Sequence, residues 1–327
     1  MSHVLLERRP EDYIAGVNSP LEYQELLPLG EWYPYLPTPE TQRTVDDKAN
    51  CVTQAHHNVT EGNFHLALEQ GRIPREHIAW LKAKGYFDAN GRIDFSEKFN
   101  AILNFTTREG NYLWRVADEA RVHGLIPERM LLSNLQEDWN TFYNPKQITI
   151  EMLALGQEFL ERFGLPYEWV EVNVQNIIRH LKHTSLIAVI PGHAVMEVRQ
   201  IASLWNYFDS YAPYIKERVG VPQVAMKILL QIKQLEMKRV IKLQNSDDQY
   251  LVESGKKMKI PDSATHEFLR DQLRIITGMV DVVERAEFDS LVTGRPMPSV
   301  AADMANQAIY RFYKERLPLL QDAYDSQ

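Results

Sequence analysis

The chain has 327 residues and a net charge of −8, from 36 Lys and Arg against 44 Asp and Glu. Apolar residues make up 44% and charged residues 24%, globular proportions that exclude collagen-like and wholly disordered classes, while the acidic balance excludes a general nucleic-acid footprint. The single cysteine, Cys51, excludes an intrachain disulfide framework and a cysteine-based zinc cage. Met1 to Pro10 lacks the apolar stretch of a signal peptide, so synthesis in the cytoplasm is expected. No run of ~18 uncharged apolar residues predicts a membrane span.

Pro10, Pro20, Pro28, Pro34, Pro37 and Pro39 interleave with Tyr23, Trp32, Tyr33 and Tyr35. Proline removes ladder donors while the aromatics seek burial, so residues 1–38 read as an extended arm lying on a folded body. From Ala49 to about Gln70, Val52, Ala55, Val59, Phe64, Leu66 and Leu68 form an imperfect apolar stripe that predicts a helix. Asp88, Asn90 and Asp94 surround an Asn90-Gly91 step, but the glycine and glutamate spacing of a calcium loop is absent, so a plain turn is expected. Asn111 to His123 predicts a second helix closed by Gly124. Ile148 to Phe163 predicts a third, closed by Gly164 before Pro166.

The period then changes. Leu186–Ile190, His193–Arg199 and Leu204–Ser210 read as three strands, the first two joined at Pro191-Gly192. Ala194, Met196 and Val198 share one face of the middle strand, and His193, Val195 and Glu197 the other. Helices followed by an antiparallel sheet predict an α+β architecture. After Gly220, Gln223 to Gln244 predicts a long helix with a basic face at Lys227, Lys233, Lys238, Arg239 and Lys242. Tyr250 to Ile260 predicts a hairpin turning at Ser254-Gly255, Pro261-Asp262-Ser263 restarts a helix, and Ala301 to Tyr324 predicts the last one. The expected organisation is an arm over 1–38, a domain over 39–220, and a helical and β-hairpin appendage over 221–327.

Cys51 stands at a helix start, where the dipole favours an anion; the bland alternative is a small buried hydrophobe. His193 opens a strand and Asp209 closes the next. Together they offer a nucleophile, a base and an orienting acid, as thiol acyl transfer requires. His56 and His57 are adjacent and point to different sides of a helix, and His180 with His183 has no recurring partner. Neither a metal nor a cofactor is expected.

These segments resemble the papain-like cysteine peptidases. Asp47-Lys-Ala-Asn-Cys51-Val-Thr-Gln-Ala is similar to their nucleophile segment. Gly192-His-Ala-Val-Met-Glu-Val198 resembles their histidine strand, and Trp205-Asn-Tyr-Phe-Asp209-Ser-Tyr211 the following Trp-x-x-x-Asn-Ser-Trp strand. Gly110-Asn111 through His123-Gly124-Leu-Ile-Pro-Glu128 resembles the specificity segment and its helix, which makes Gly110 and Asn111 substrate-cleft candidates. The resemblance covers residues 39 to 220. The proline-rich arm, Gly85-Tyr-Phe and Gly124-Leu-Ile-Pro resemble a branch encoded by tailed bacteriophages. It implies a helical half led by the nucleophile helix, an antiparallel β half, and hydrolysis of peptide or isopeptide bonds by Cys51, His193 and Asp209 in a cell-wall peptide or a virion protein. Three places depart from the family pattern. Val45 stands at the place of the oxyanion glutamine, leaving Gln42 as the candidate, Ala49-Asn-Cys51-Val-Thr replaces the usual Cys-Gly-Ser-Cys-Trp, and Asp209 replaces asparagine.

Tyr250-Leu-Val to Ile260-Pro-Asp262, with Thr293-Gly294-Arg-Pro296, resembles a short module repeated in phage and bacterial surface proteins, which implies docking to other virion proteins through residues 221–327. The alternative reading is a catalytically silent papain-fold structural or docking protein of the virion. A transglutaminase-like acyltransferase shares the Cys-His-Asp order.

Overall fold

The structure, a computed structural model, describes residues 4–9, 11–15, 17, 24–42, 46–133, 136–233, 239–243, 249–253, 256–259, 280–283 and 292–293. The described residues up to Lys233 belong to one compact unit and those from Arg239 onward to a second.

The first unit begins with a short strand, β1 (Val4–Leu5), and continues with five helices and a second short strand: α1 (Cys51–Glu69), α2 (Arg75–Lys84), α3 (Glu97–Leu103), β2 (Asn111–Tyr112), α4 (Leu113–His123) and the one-turn α5 (Trp139–Phe142). Then come α6 (Ile150–Arg162), β3 (Phe163–Gly164), β4 (Tyr167–Val170) and α7 (Val174–Leu181). Five strands follow: β5 (Leu186–Ile190), β6 (His193–Ile201), β7 (Leu204–Phe208), β8 (Ile215–Val219) and β9 (Val224–Ile228), with a short β10 (Gln231–Ile232) after them. The main sheet has six antiparallel strands in the order β4-β9-β5-β6-β7-β8. The α+β expectation therefore holds.

Local chemistry sets the helix ends. Ser96 caps α3 by accepting from Phe99 N, and Thr149 caps α6 by accepting from Met152 N. α1 differs from a surface helix: 16 of its 19 residues are buried, so it is enclosed rather than amphipathic. A Cβ on Gly62 would stand 3.0 Å from the Met196 Cε, which shows how closely α1 lies on β6. Phe64 of α1 meets Phe95, Phe159 and Phe163 at ring separations of 4.9 to 5.9 Å, and this aromatic cluster centres the core. On the other face of β6, Val195 packs with Ala188 and Tyr207, and Glu197 pairs with Arg218 at 2.6 Å. The alternation read for the middle strand is thus the one the sheet uses.

The arm is tied down. Trp32 is fully buried, its indole N–H donates to the Leu181 carbonyl at 2.8 Å, and its backbone N–H donates to the Val198 carbonyl. Further upstream, β1 pairs with β2, and Ile14 bridges to Trp169.

The expected long helix over 223–244 and the boundary at 220 are corrected. Residues 224–228 form β9, which lies between β4 and β5 in the middle of the sheet, with Ala225, Met226 and Ile228 fully buried. Lys227, expected on a solvated basic face, is buried in a cross-strand pair with Glu168 at 2.8 Å. A strand covered on both faces reads as a continuous apolar run, which periodicity alone does not separate from a buried helix. The first unit therefore reaches Lys233, not Gly220.

The second unit contains β11 (Arg239–Leu243), β12 (Gln249–Glu253), β13 (Lys256–Lys259), β14 (Val280–Val283) and β15 (Val292–Thr293), in the order β14-β11-β12-β13-β15. β12 and β13 pair antiparallel, Glu253 opposite Lys256, as a hairpin requires; the turn residues Ser254 and Gly255 lie outside the described residues. So do the helices expected after Pro261 and over 301–324. No helix among the described residues is long and apolar enough to cross a membrane.

Candidate active site

Cys51 is the first residue of α1, as expected, and it is fully buried. The chain reaches it through a clamped loop. The Asp47 carboxylate accepts from Ala49 N at 2.9 Å, and Ala49 takes a φ of 50°, a left-handed conformation that costs a residue with a side chain on the order of 1–3 kcal/mol. The Tyr143 hydroxyl donates to the Lys48 carbonyl at 2.6 Å, and Trp139 N donates to Asp46 Oδ2 at 3.0 Å. Asn50, at the cap position, makes no side-chain cap bond, so the leading N–H groups of α1 are not covered by it.

His193 comes from the opposite side of the fold. The β5–β6 hairpin pairs Ile190 with His193, so Pro191 and Gly192 make a two-residue turn. Gly192 has a φ of 75°, the conformation glycine supplies without strain. The histidine is thereby placed at the mouth of its strand. Asp209 follows β7 directly, and its Oδ1 lies 2.6 Å from His193 Nε2. The imidazole also hydrogen-bonds the Cys51 side chain. With Nε2 turned to Asp209, Nδ1 is the nitrogen left for the thiol.

The carboxylate is held from two more directions. Asp209 Oδ2 accepts from Lys216 Nζ at 2.7 Å, and Oδ1 accepts from Tyr211 N at 3.1 Å. Burial disfavours the Asp209 anion, but His193 and Lys216 outweigh it and hold the carboxyl below its ordinary range. Burial likewise disfavours the imidazolium, but Asp209 and Cys51 outweigh it and push His193 up to about 9. The Tyr211 ring lies over His193, with centroids 5.1 Å apart and planes at 34°.

Gln42 is buried beside this group. Its amide nitrogen donates to Asp47 Oδ1 at 3.2 Å and to the Tyr211 hydroxyl, while its oxygen accepts from Ser210 Oγ at 3.1 Å. Tyr211 in turn donates to Asp47 Oδ2 at 2.6 Å. Both amide hydrogens of Gln42 are therefore engaged within the chain. Asn111 is buried in a brace: its amide donates to the Asn104 carbonyl at 2.9 Å and to Asn104 Oδ1 at 2.8 Å, and Asn104 donates to Thr53 of α1. Gly110 is also buried, in a tight turn closed on Thr107 with a φ of 95°.

His56 and His57 are enclosed in the core. Burial, joined by the mutual proximity of the two rings, drives His56 to about 3, and burial lowers His57 to about 4. Sequence reasoning brought Cys51, His193 and Asp209 forward; it passed over Asp47 and Lys216 as partners. Asp47 stood inside the quoted nucleophile segment, but nothing in its spacing pointed to Tyr211.

No protein-family model and no curated protein matches the chain.

Proposed function

We propose that this chain is a papain-like thiol hydrolase of the branch encoded by tailed phages, cleaving peptide or isopeptide bonds. The observation that carries the reading is the single imidazole hydrogen-bonded to both the Cys51 side chain and a buried, lysine-held carboxylate. Cys51 Sγ passes its proton to His193 Nδ1 and attacks the carbonyl carbon; a C–S bond forms and the carbonyl π pair moves to oxygen. Collapse expels the amine, which takes the proton from the imidazolium. His193 then deprotonates water, which cleaves the thioester and restores the thiol. Asp209 orients the ring and favours its charged form, and Lys216 keeps Asp209 ionised. The uncapped N–H groups at the start of α1 are the donors on hand for the oxyanion; Gln42 contributes only after releasing Asp47 or Tyr211. Other virion proteins are the partners this reading gives to the residues beyond Lys233.

Two observations favour a second reading, a catalytically silent docking protein of the virion with the same fold. Cys51 has no exposed surface, and the Gln42 amide is fully engaged. Alkylation by iodoacetamide separates the two, because the chain has one cysteine and every adduct is Cys51. The hydrolase reading expects rapid labelling of the folded protein at pH 6, lost in His193→Ala. Labelling slower than that of the urea-unfolded chain, at pH 6 and pH 8 alike, would leave the docking reading.

A further inference from the structure

A second group of buried polar side chains lies outside the thiol site. One carboxylate oxygen from each of Glu40, Glu97 and Glu128 lies within 4.8 Å of the other two. Glu97 and Glu128 are buried, and the Oε2 atoms of all three are sealed from solvent without a hydrogen-bond partner. Glu61 is buried beside them and accepts from Phe95 N at 2.8 Å. Burial comes first in raising each of these carboxyls above the ordinary range, and repulsion from acidic neighbours, including Asp94, adds to it.

His57 gives an independent sign that something fits between them. It is fully buried, its Nδ1 has no hydrogen-bond partner, and that atom lies 3.7 Å from Glu97 Oε1. Its tautomer follows from Asn100. Asn100 Nδ2 donates to the Gly124 carbonyl, so its Oδ1 faces His57 Nε2 at 3.1 Å, and Nε2 carries the hydrogen. Nδ1 therefore presents a lone pair toward a carboxylate. Among the described residues, the ion-pair contact to this group comes from His57 alone. A cluster made only of acceptors is strongly unfavourable unless a positive species joins it.

The spacing fits a cation. Oxygen ligands bind calcium at about 2.3–2.6 Å, so two ligands of one ion stand no more than about 5.2 Å apart, and the three carboxylate oxygens, all within 4.8 Å of one another, satisfy that bound. Carboxylate oxygens suit calcium and manganese better than softer metals. We infer that Glu40, Glu97 and Glu128 form a buried site for a divalent cation of the calcium or manganese class, with Glu61 and Asp94 as outer negative charge and His57 as a positioning residue on Glu97. The cation would tie the segment that follows the arm, through Glu40, to α3 and to the turn at Glu128. This site is independent of the thiol reading.

The test uses the full chain purified without chelator. Elemental analysis should find about one equivalent of calcium or manganese. Dialysis against EDTA should lower the melting temperature by several degrees, and adding back CaCl2 or MnCl2, but not KCl at equal ionic strength, should restore it. Glu97→Gln should abolish the cation-dependent shift. Because that variant risks misfolding, the electron paramagnetic resonance signal of Mn2+ added to the EDTA-treated native chain gives a second readout, expected to broaden on binding. No metal in the purified chain, together with neither a melting shift nor a broadened signal on adding either cation, overturns the site and leaves shared protons in its place.

Discussion

Replacing Asp209 by asparagine keeps the shape of the side chain and removes the charge that faces both His193, at 2.6 Å, and Lys216, at 2.7 Å. In the folded chain His193 titrates at about 9 against an ordinary 6.5. At about 1.4 kcal/mol per pH unit, that interval is worth roughly 3 kcal/mol. Because the folded value is raised, this stability is fully present below pH 6.5 and is lost as pH rises through 9. Asp209, held below its ordinary range, stays ionised throughout that window. The variant loses the largest of the contacts that raise His193, so it should be destabilised most at pH 6, by about 2–3 kcal/mol, or roughly 4–12 °C in Tm for a unit of this size. At pH 10 the deficit should shrink to the part that reports Lys216. Thermal unfolding followed by circular dichroism at both pH values measures this, and NMR titration of the His193 ring checks its origin. An equal deficit at pH 6 and pH 10, or a wild-type His193 titrating below 7, refutes the coupling.

Two further variants test the packing. Gly124 has a φ of 74°, and a Cβ there would fall 2.0 Å from the Gly156 carbonyl oxygen. Gly124→Ala should therefore cost more than about 3 kcal/mol in urea unfolding, whereas Gly91→Ala, with a similar φ of 76° and open space around it, should cost about 1 kcal/mol. A chain ending at Gly220 loses β9 from between β4 and β5 and should aggregate or melt without cooperativity, while one ending at Lys233 should melt cooperatively; a cooperative 1–220 fragment would contradict the placement of β9.

The parts of the fold that were legible in the sequence carry their cause locally. β6 alternates because one face meets α1 and the other meets Ala188 and Tyr207, and the Pro191-Gly192 step announces its turn. β9 was illegible because neighbours on both sides remove the alternation, and Val224, Ile228 and, in β10, Ile232 happen to fall four apart. Lys227 misled for a related reason: charge suggested solvent, but the register opposite Glu168 supplies a buried partner, and burial, opposed by that carboxylate, lowers the lysine to about 8. Cys51, His193 and Asp209 could be read because each sits in a short motif. The Gln42–Asp47–Tyr211 triangle joins the segment before α1 to the loop after β7, and the carboxylates of Glu40, Glu97 and Glu128 come from three separate parts of the chain, so no spacing announces either.

α1 links these observations. A helix buried on nearly every side normally carries apolar residues throughout, yet this one holds Thr53, His57, Glu61 and Asn63 in its interior. Each finds a partner outside the helix: Thr53 accepts from Asn104, His57 meets Asn100, Glu61 accepts from Phe95 N, and Asn63 donates to the Ile228 carbonyl. Such bonds are directional, so they fix the rotation and height of the helix more tightly than apolar packing of the same area would. In the thiol-hydrolase reading proposed above, the residue this placement serves is the first, Cys51, whose side chain hydrogen-bonds the imidazole supplied by the sheet. On that reading polar burial along α1 helps to place one atom, and substitutions such as Asn63→Leu, far from the thiol, bear on its alignment with His193 as well as on stability.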